Sequence, residues 1–133
     1  MFRALLARLT GEPARGAALF EAAVSEARNP RWFIEGGLPD TVDGRFAVLA
    51  AVTALILVRL EQEGATEASV ALTERFVETL DTELREMGVG DPAVGKQVRR
   101  LVGALAGRVE RSRALVAGGY GWRAEARRGL YRG

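Results

Sequence analysis

Apolar residues recur every three or four positions along most of the chain, and a few Gly, Pro and Asn positions break the pattern into segments. The first clear segment runs from residue 13 to about 28, with Ala17, Phe20, Val24 and Ala27 on one face. Asn29 and Pro30 stop it. Residues 29–42 read as a loop, but one carrying Trp32, Phe33, Ile34 and Leu38, so it is expected to fold back over the core. Asp40, Thr41 or Asp43 caps a second helix that runs to about residue 63. Its stretch 46–58 has no charge and is bracketed by Arg45 and Arg59. That is well short of the ~20 residues needed to cross a bilayer, so it predicts a buried central helix.

Gly64 ends this helix, and Thr66 is expected to cap a third, with Ser69 in its first turn. Val70, Val77, Leu80, Leu84 and Met87 are expected on its apolar face, with Glu74, Glu78, Asp81, Arg85 and Glu86 mostly opposite. Gly88 can take the left-handed conformation that ends a helix. Asp91 then caps a fourth helix and Pro92 fits its first turn. That helix extends to about residue 117 with an apolar stripe of Val94, Val98, Leu101, Val102, Leu105, Val109 and Val116. Gly118 and Gly119 break it before a last helix or arm, 120–131. At the front, Phe2, Leu5, Leu6 and Leu9 share a helical face, while Arg3 and Arg8 interrupt the apolar run that a signal peptide requires. This stretch reads either as a short helix docked on the core or as a foot on a membrane surface. No period-2 pattern is present. The expectation is an all-α, single-domain bundle spanning 1–133, with about five helices around an apolar central helix. Residues 1–11 form an N-terminal helical extension of it, and 118–133 a basic C-terminal arm.

Composition narrows the chemistry. The chain is 48% apolar and 27% charged, which places it among globular rather than disordered sequences. It has no Cys and no His, which removes thiol nucleophiles, zinc fingers, imidazole bases and Ser-His-Asp triads. A metal site would need oxygen ligands. The absence of Cys fits a cytoplasmic protein, with room for peripheral contact at an inner membrane. The net charge of +2 is unevenly divided: residues 1–91 carry −6 and residues 92–133 carry +8. An acidic front and a basic back suggest either neutralisation within the fold or a basic surface turned to a partner.

Several short patterns invite a chemical reading. Residues 90–96 match GxxxxGK, but a helix precedes them, Gln97 replaces the magnesium-binding Ser/Thr, and Pro92 starts a helix inside the would-be phosphate loop. Asp40, Asp43, Asp81, Glu83 and Asp91 cluster at element ends, where capping explains them better than acid–base catalysis. Asp81 lies four residues before Arg85, in the favourable order for a helix ion pair. Arg45, beside the buried run, is expected to bridge to Asp81 or Asp91 across helices. On the fourth helix, Lys96, Arg100, Gly103, Gly107 and Arg111 share a side away from the apolar stripe. Two glycines there would let another backbone approach, either the chain's own C-terminal helix or a partner segment. The tail mixes Trp122 and Tyr131 with Arg123, Arg127, Arg128 and Arg132, a pattern suited to RNA, to an anionic membrane or, equally, to a packed helix with solvated arginines.

The strings EARNPRWF, LPDTVDGRF, VRLEQEG and LDTELREMGVGDPAVGKQVRR, followed by Gly107-Arg108, resemble the ubiquinol–cytochrome c chaperone family over about residues 19–113. DTVDGRF and LREMGVGD are the more specific of these. The resemblance implies an α-helical assembly factor for respiratory complex III, without enzymatic chemistry and without a cofactor. In mitochondria such a protein is associated with newly made cytochrome b, with a second small chaperone and with the ribosome. The chain departs from the family pattern in three places. Ala50-Ala51 stands where a His is frequent, Leu105-Ala106 stands where Phe-Tyr is frequent, and a later Tyr is missing.

The resulting expectation is a chaperone that holds a newly made apolar segment of cytochrome b or of a complex III assembly intermediate. Trp32, Phe33, Leu38, Lys96, Arg100, Gly103, Gly107 and Arg111 are the candidate client or partner contacts. Asp40, Asp43, Arg45, Asp81, Arg85, Gly88 and Asp91 are the candidate scaffold. Two other classes remain open at this point. One is a ribosome- or nucleic-acid-binding module acting through the Arg-rich tail, which predicts steep salt dependence. The other is a carboxylate–metal enzyme, which predicts a higher melting temperature with magnesium or manganese.

Overall fold

Phe76 is fully buried, and the rings of Phe20 and Phe46 pack against it from two other helices, 6.3 Å and 6.0 Å away. The computed structural model describes residues 13–131. Its elements are α1 (Pro13–Ala27), α2 (Arg31–Ile34), α3 (Val42–Gln62), α4 (Thr66–Glu86), α5 (Asp91–Gly118) and α6 (Trp122–Ala126), and a π-helical turn (Arg127–Tyr131) follows. No strand occurs among the described residues. The expected helical segment 1–11 lies outside them.

The central-helix expectation holds. α3 buries Ala47, Val48, Ala50, Thr53, Ala54, Leu57 and Val58, and packs against α1, α4, α5 and the π-helical turn. Small residues on so many sides let three helices approach it closely. Leu57, Leu72, Phe76, Leu80 and Leu105 then fill the space between them. Burying a side chain such as Phe76 contributes about 1.5–3 kcal/mol. α1 lies tightly on α4: a Cβ added at Gly16 would sit 2.5 Å from the Ala71 carbonyl oxygen. No helix among the described residues is long and apolar enough to cross a membrane.

Four local expectations need correction. Residues 31–34 form the one-turn helix α2 within the expected loop. Ala65, not Thr66, is the N-cap of α4, with no side-chain cap bond, and Thr66 is its first helical residue. Gly90 holds the N-cap position of α5, so Asp91 is its first residue rather than its cap. The core face of α4 is Ala68, Ala71, Leu72, Phe76 and Leu80, whereas Met87 is 68% and Val70 48% exposed. The apolar positions of α4 therefore point in two directions, and only one of them is core.

Candidate functional site

The first specific motif builds the entry to α3. Thr41 caps the helix, its Oγ1 accepting the Gly44 N–H at 3.0 Å. Gly44 packs so closely beneath the Pro39 carbonyl that a Cβ there would fall within 3 Å of its oxygen. A side chain at this position would push the loop off the helix. Asp43 lies in the first turn, where a carboxylate favours the helix dipole. Arg45 Nε donates to Asp40 at 2.7 Å, and this bond holds the Asp40 carboxyl below its ordinary value. The expected bridge from Arg45 to Asp81 or Asp91 is absent, because Asp40, five residues earlier, is within reach of the same guanidinium.

The second motif builds the turn between α4 and α5, and there Arg85 is the bridging residue. Its Nε donates to Asp81 at 2.9 Å, and its Nη1 donates to Asp91 at the start of α5. Both carboxylates raise the Arg85 value further above its ordinary one. Gly88, at φ +89°, supplies the left-handed residue that the turn requires. These ion pairs face solvent, and screening leaves each with little net effect on stability. Asp40 and Asp43 thus lie at the entry to α3, and Asp81 and Asp91 hold Arg85 across the turn between α4 and α5. Among the described residues no group of three or more acidic side chains gathers to hold a metal.

Trp32, Phe33 and Leu38 do fold over the core, as their composition suggested. Trp32 Nε1 donates to the Glu26 carbonyl at 3.0 Å. Leu38 is buried with Ala27 and Val48, and Trp32, Phe33 and Leu130 pack against them. Leu130 comes from the tail, so the basic arm is a strap over this end of the bundle. Arg108 donates to the Gly129 carbonyl at 2.6 Å, Arg111 pairs with Glu125 at 2.8 Å, and the Tyr131 hydroxyl donates to the Gly36 carbonyl at 2.5 Å. Ile34, expected to fold back with Trp32, Phe33 and Leu38, instead projects from this end and is 80% exposed, because the one-turn helix α2 turns its side chain away from the core.

The glycine-lined face of α5 divides in two. Gly107 meets the guanidinium of Arg111, which turns toward the tail. Lys96, Arg100 and Gly103 are exposed, and a Cβ at Gly103 would meet nothing within 4 Å. Among the described residues, no helix backbone fills the gap that the two glycines were expected to provide.

Sequence reasoning missed an open groove of about 680 Å³ between α3, α4 and α5. Leu57, Val70, Val77, Val102, Leu105 and Val109 make its apolar surface. Glu61, Glu74 and Glu78 stand around it, and among the described residues that line it Arg113 is the one cation. Arg113 is bound to Glu61 by two bonds of 2.9 and 2.8 Å, which hold the Glu61 carboxyl below its ordinary value. Thr73 Oγ1 is spent on the Ser69 carbonyl, and Ser69 Oγ has no hydrogen-bond partner. The signal was present in Val70 and Val77, apolar positions displaced around α4 from Leu72 and Phe76.

The sequence profile of the family described as ubiquinol-cytochrome C chaperone matches residues 35–124. This span contains both motif turns and every groove residue. The crystal structure of the Cbp3 homolog from Brucella abortus superimposes with a TM-score of 0.77 at 26% identity, covering 97% of this chain and 74% of that one. No curated protein matches the chain.

Proposed function

Because the chain belongs to the ubiquinol–cytochrome c chaperone family, we propose that it is a non-enzymatic assembly chaperone that holds a newly made segment of cytochrome b during complex III assembly. One observation carries this reading beyond kinship. Thr41, Gly44 and Arg45 build the entry to α3, and Asp81, Arg85 and Asp91 tie the end of α4 to the start of α5, while apolar surface between these helices is left open by the described residues. A scaffold spent on shape, with unfilled apolar area, suits holding a client. Exposed Ile34 with the half-buried Trp32 and Phe33 beside it, and the Lys96–Arg100–Gly103 face, are further contact surfaces in this proposal. A second small chaperone and an anionic membrane surface are the partners they would meet.

The test is recovery of a tagged chain from its native membrane fraction in mild detergent, at low and moderate salt. Cytochrome b or a complex III intermediate recovered at both salts supports the reading. Absence of both from the wild-type eluate contradicts it.

A second reading has its own observation. Arg123, Arg127 and Tyr131 line a concavity of about 460 Å³ on the tail, with Tyr120 and Trp122 exposed nearby in sequence. Rings beside arginines suit ribosomal RNA. Ribosomes recovered alone, and lost as salt rises, would favour this reading over the first.

A further inference from the structure

We infer that the groove between α3, α4 and α5 is a docking site for a helical segment of a membrane protein, at the end where its apolar residues give way to Arg and Lys. The groove combines an apolar surface with an acidic rim. Val70, Val77, Val102 and Val109 offer side-chain packing and no orienting polar group, over a floor of the nearly buried Leu57 and Leu105. The hydroxyl of Thr73 is already bonded within α4. Such a surface selects by shape and apolar contact rather than by hydrogen-bond readout, unlike a small-ligand pocket with convergent polar groups.

The rim then defines the charge of the occupant. Arg113 is neutralised by Glu61. Glu78 is paired only with Arg75, at 3.6 Å, and Glu74 makes no ion pair among the described residues. On the α4 side, Glu74 therefore presents a carboxylate with no ion-pair partner among the described residues, beside Val70 and Val77 and next to the weakly paired Glu78. An occupant with acidic flanks would meet like charge, and one with Arg or Lys flanks would be attracted. Helices of membrane proteins carry that combination at one end, because Lys and Arg accumulate in the loops on the cytoplasmic side of a span. Choosing a membrane-protein segment rests on the chaperone function proposed above; the groove and its acidic rim do not.

The probes are two synthetic Leu/Ala helices of equal length, one with an Arg cluster at one end and one with a Glu cluster there. Binding to the full chain is measured by fluorescence anisotropy at moderate salt. The Arg-ended helix is expected to bind about tenfold more tightly or better. Ala106→Trp, which places a large ring in the groove from an exposed position, should abolish that binding while the melting temperature stays near that of the wild type. Replacing Glu74 and Glu78 together by Arg should reverse the preference between the two helices. Equal binding of both, or undiminished binding to Ala106→Trp, overturns the inference. So does a concentration-dependent dimer that Ala106→Trp abolishes, which would make a second copy the occupant. Should the peptides behave as expected while no complex III intermediate is recovered from the native membrane, the groove stands and the chaperone function falls. Should the intermediate be retained equally by Ala106→Trp, the function stands and the groove falls.

Discussion

Around the first half of α3, Ala27, Leu38 and Val48 are roofed by Leu130 from the chain's own tail. Toward its second half, Leu57, Leu105 and Val109 border a groove that no described segment enters. The residue types are nearly the same, and what differs is whether the chain supplies a cover. The covered end is secured by directional bonds: Tyr131 to Gly36, Arg108 to Gly129 and Arg111 to Glu125. The open groove has an acidic border in place of a strap. Apolar surface that a protein closes with its own chain serves stability, whereas apolar surface left open beside a carboxylate such as Glu74, which has no ion pair among the described residues, is available to a partner.

The most severe way to break both regions is to remove what they share. Phe76→Ala should cost about 3–5 kcal/mol in urea unfolding, because the ring fills the space between α1, α3 and α4. Leu130→Ala separates the regions: it should cost about 1–2 kcal/mol and leave peptide binding in the groove unchanged. A red shift of Trp32 emission, measured in a Trp122→Phe background, would report the lifted strap. Thr53→Val should raise stability by about 1 kcal/mol, since Thr53 is fully buried and its hydroxyl has no partner. Arg85→Met should leave the urea midpoint almost unchanged despite ending two ion pairs, because both face solvent.

The smallest expected effect is that of pH. Asp40 and Glu61 have folded values below their ordinary 3.8 and 4.5. The stability they contribute is therefore fully present above about pH 4.5 and is lost as pH falls through the depressed values. Replacing Asp40 by Asn and Glu61 by Gln should flatten that acid limb in a melting series between neutral pH and pH 3. Screening at these exposed sites keeps the change small.

Most of the helical architecture was legible because its signals are local. Asn29-Pro30, Gly64, Gly88 and Gly118-Gly119 punctuate the chain where the helices end, and the uncharged run 46–58 marks the helix that touches most others. The pairing of Asp81 with Arg85 follows from one turn of helix. Arg45 was misread because its alternatives lay across helices, and the nearer Asp40 won. The strap and the groove were not legible for a related reason. Whether Leu130 meets Leu38, or Val70 meets anything, depends on how helices distant in sequence are arranged, and periodicity on one helix carries no information about that. The loop residues Trp32, Phe33 and Leu38 were correctly read as core-facing, but nothing in their own segment indicated that the tail would cover them.

The most direct test is retention of a complex III assembly intermediate by three chains with matched expression: wild type, Ala106→Trp and Leu130→Ala. The account predicts that wild type and Leu130→Ala retain the intermediate and that Ala106→Trp, still folded, loses it. Retention by Ala106→Trp together with loss by Leu130→Ala would contradict the account, and would move the client site to the strapped end of the bundle.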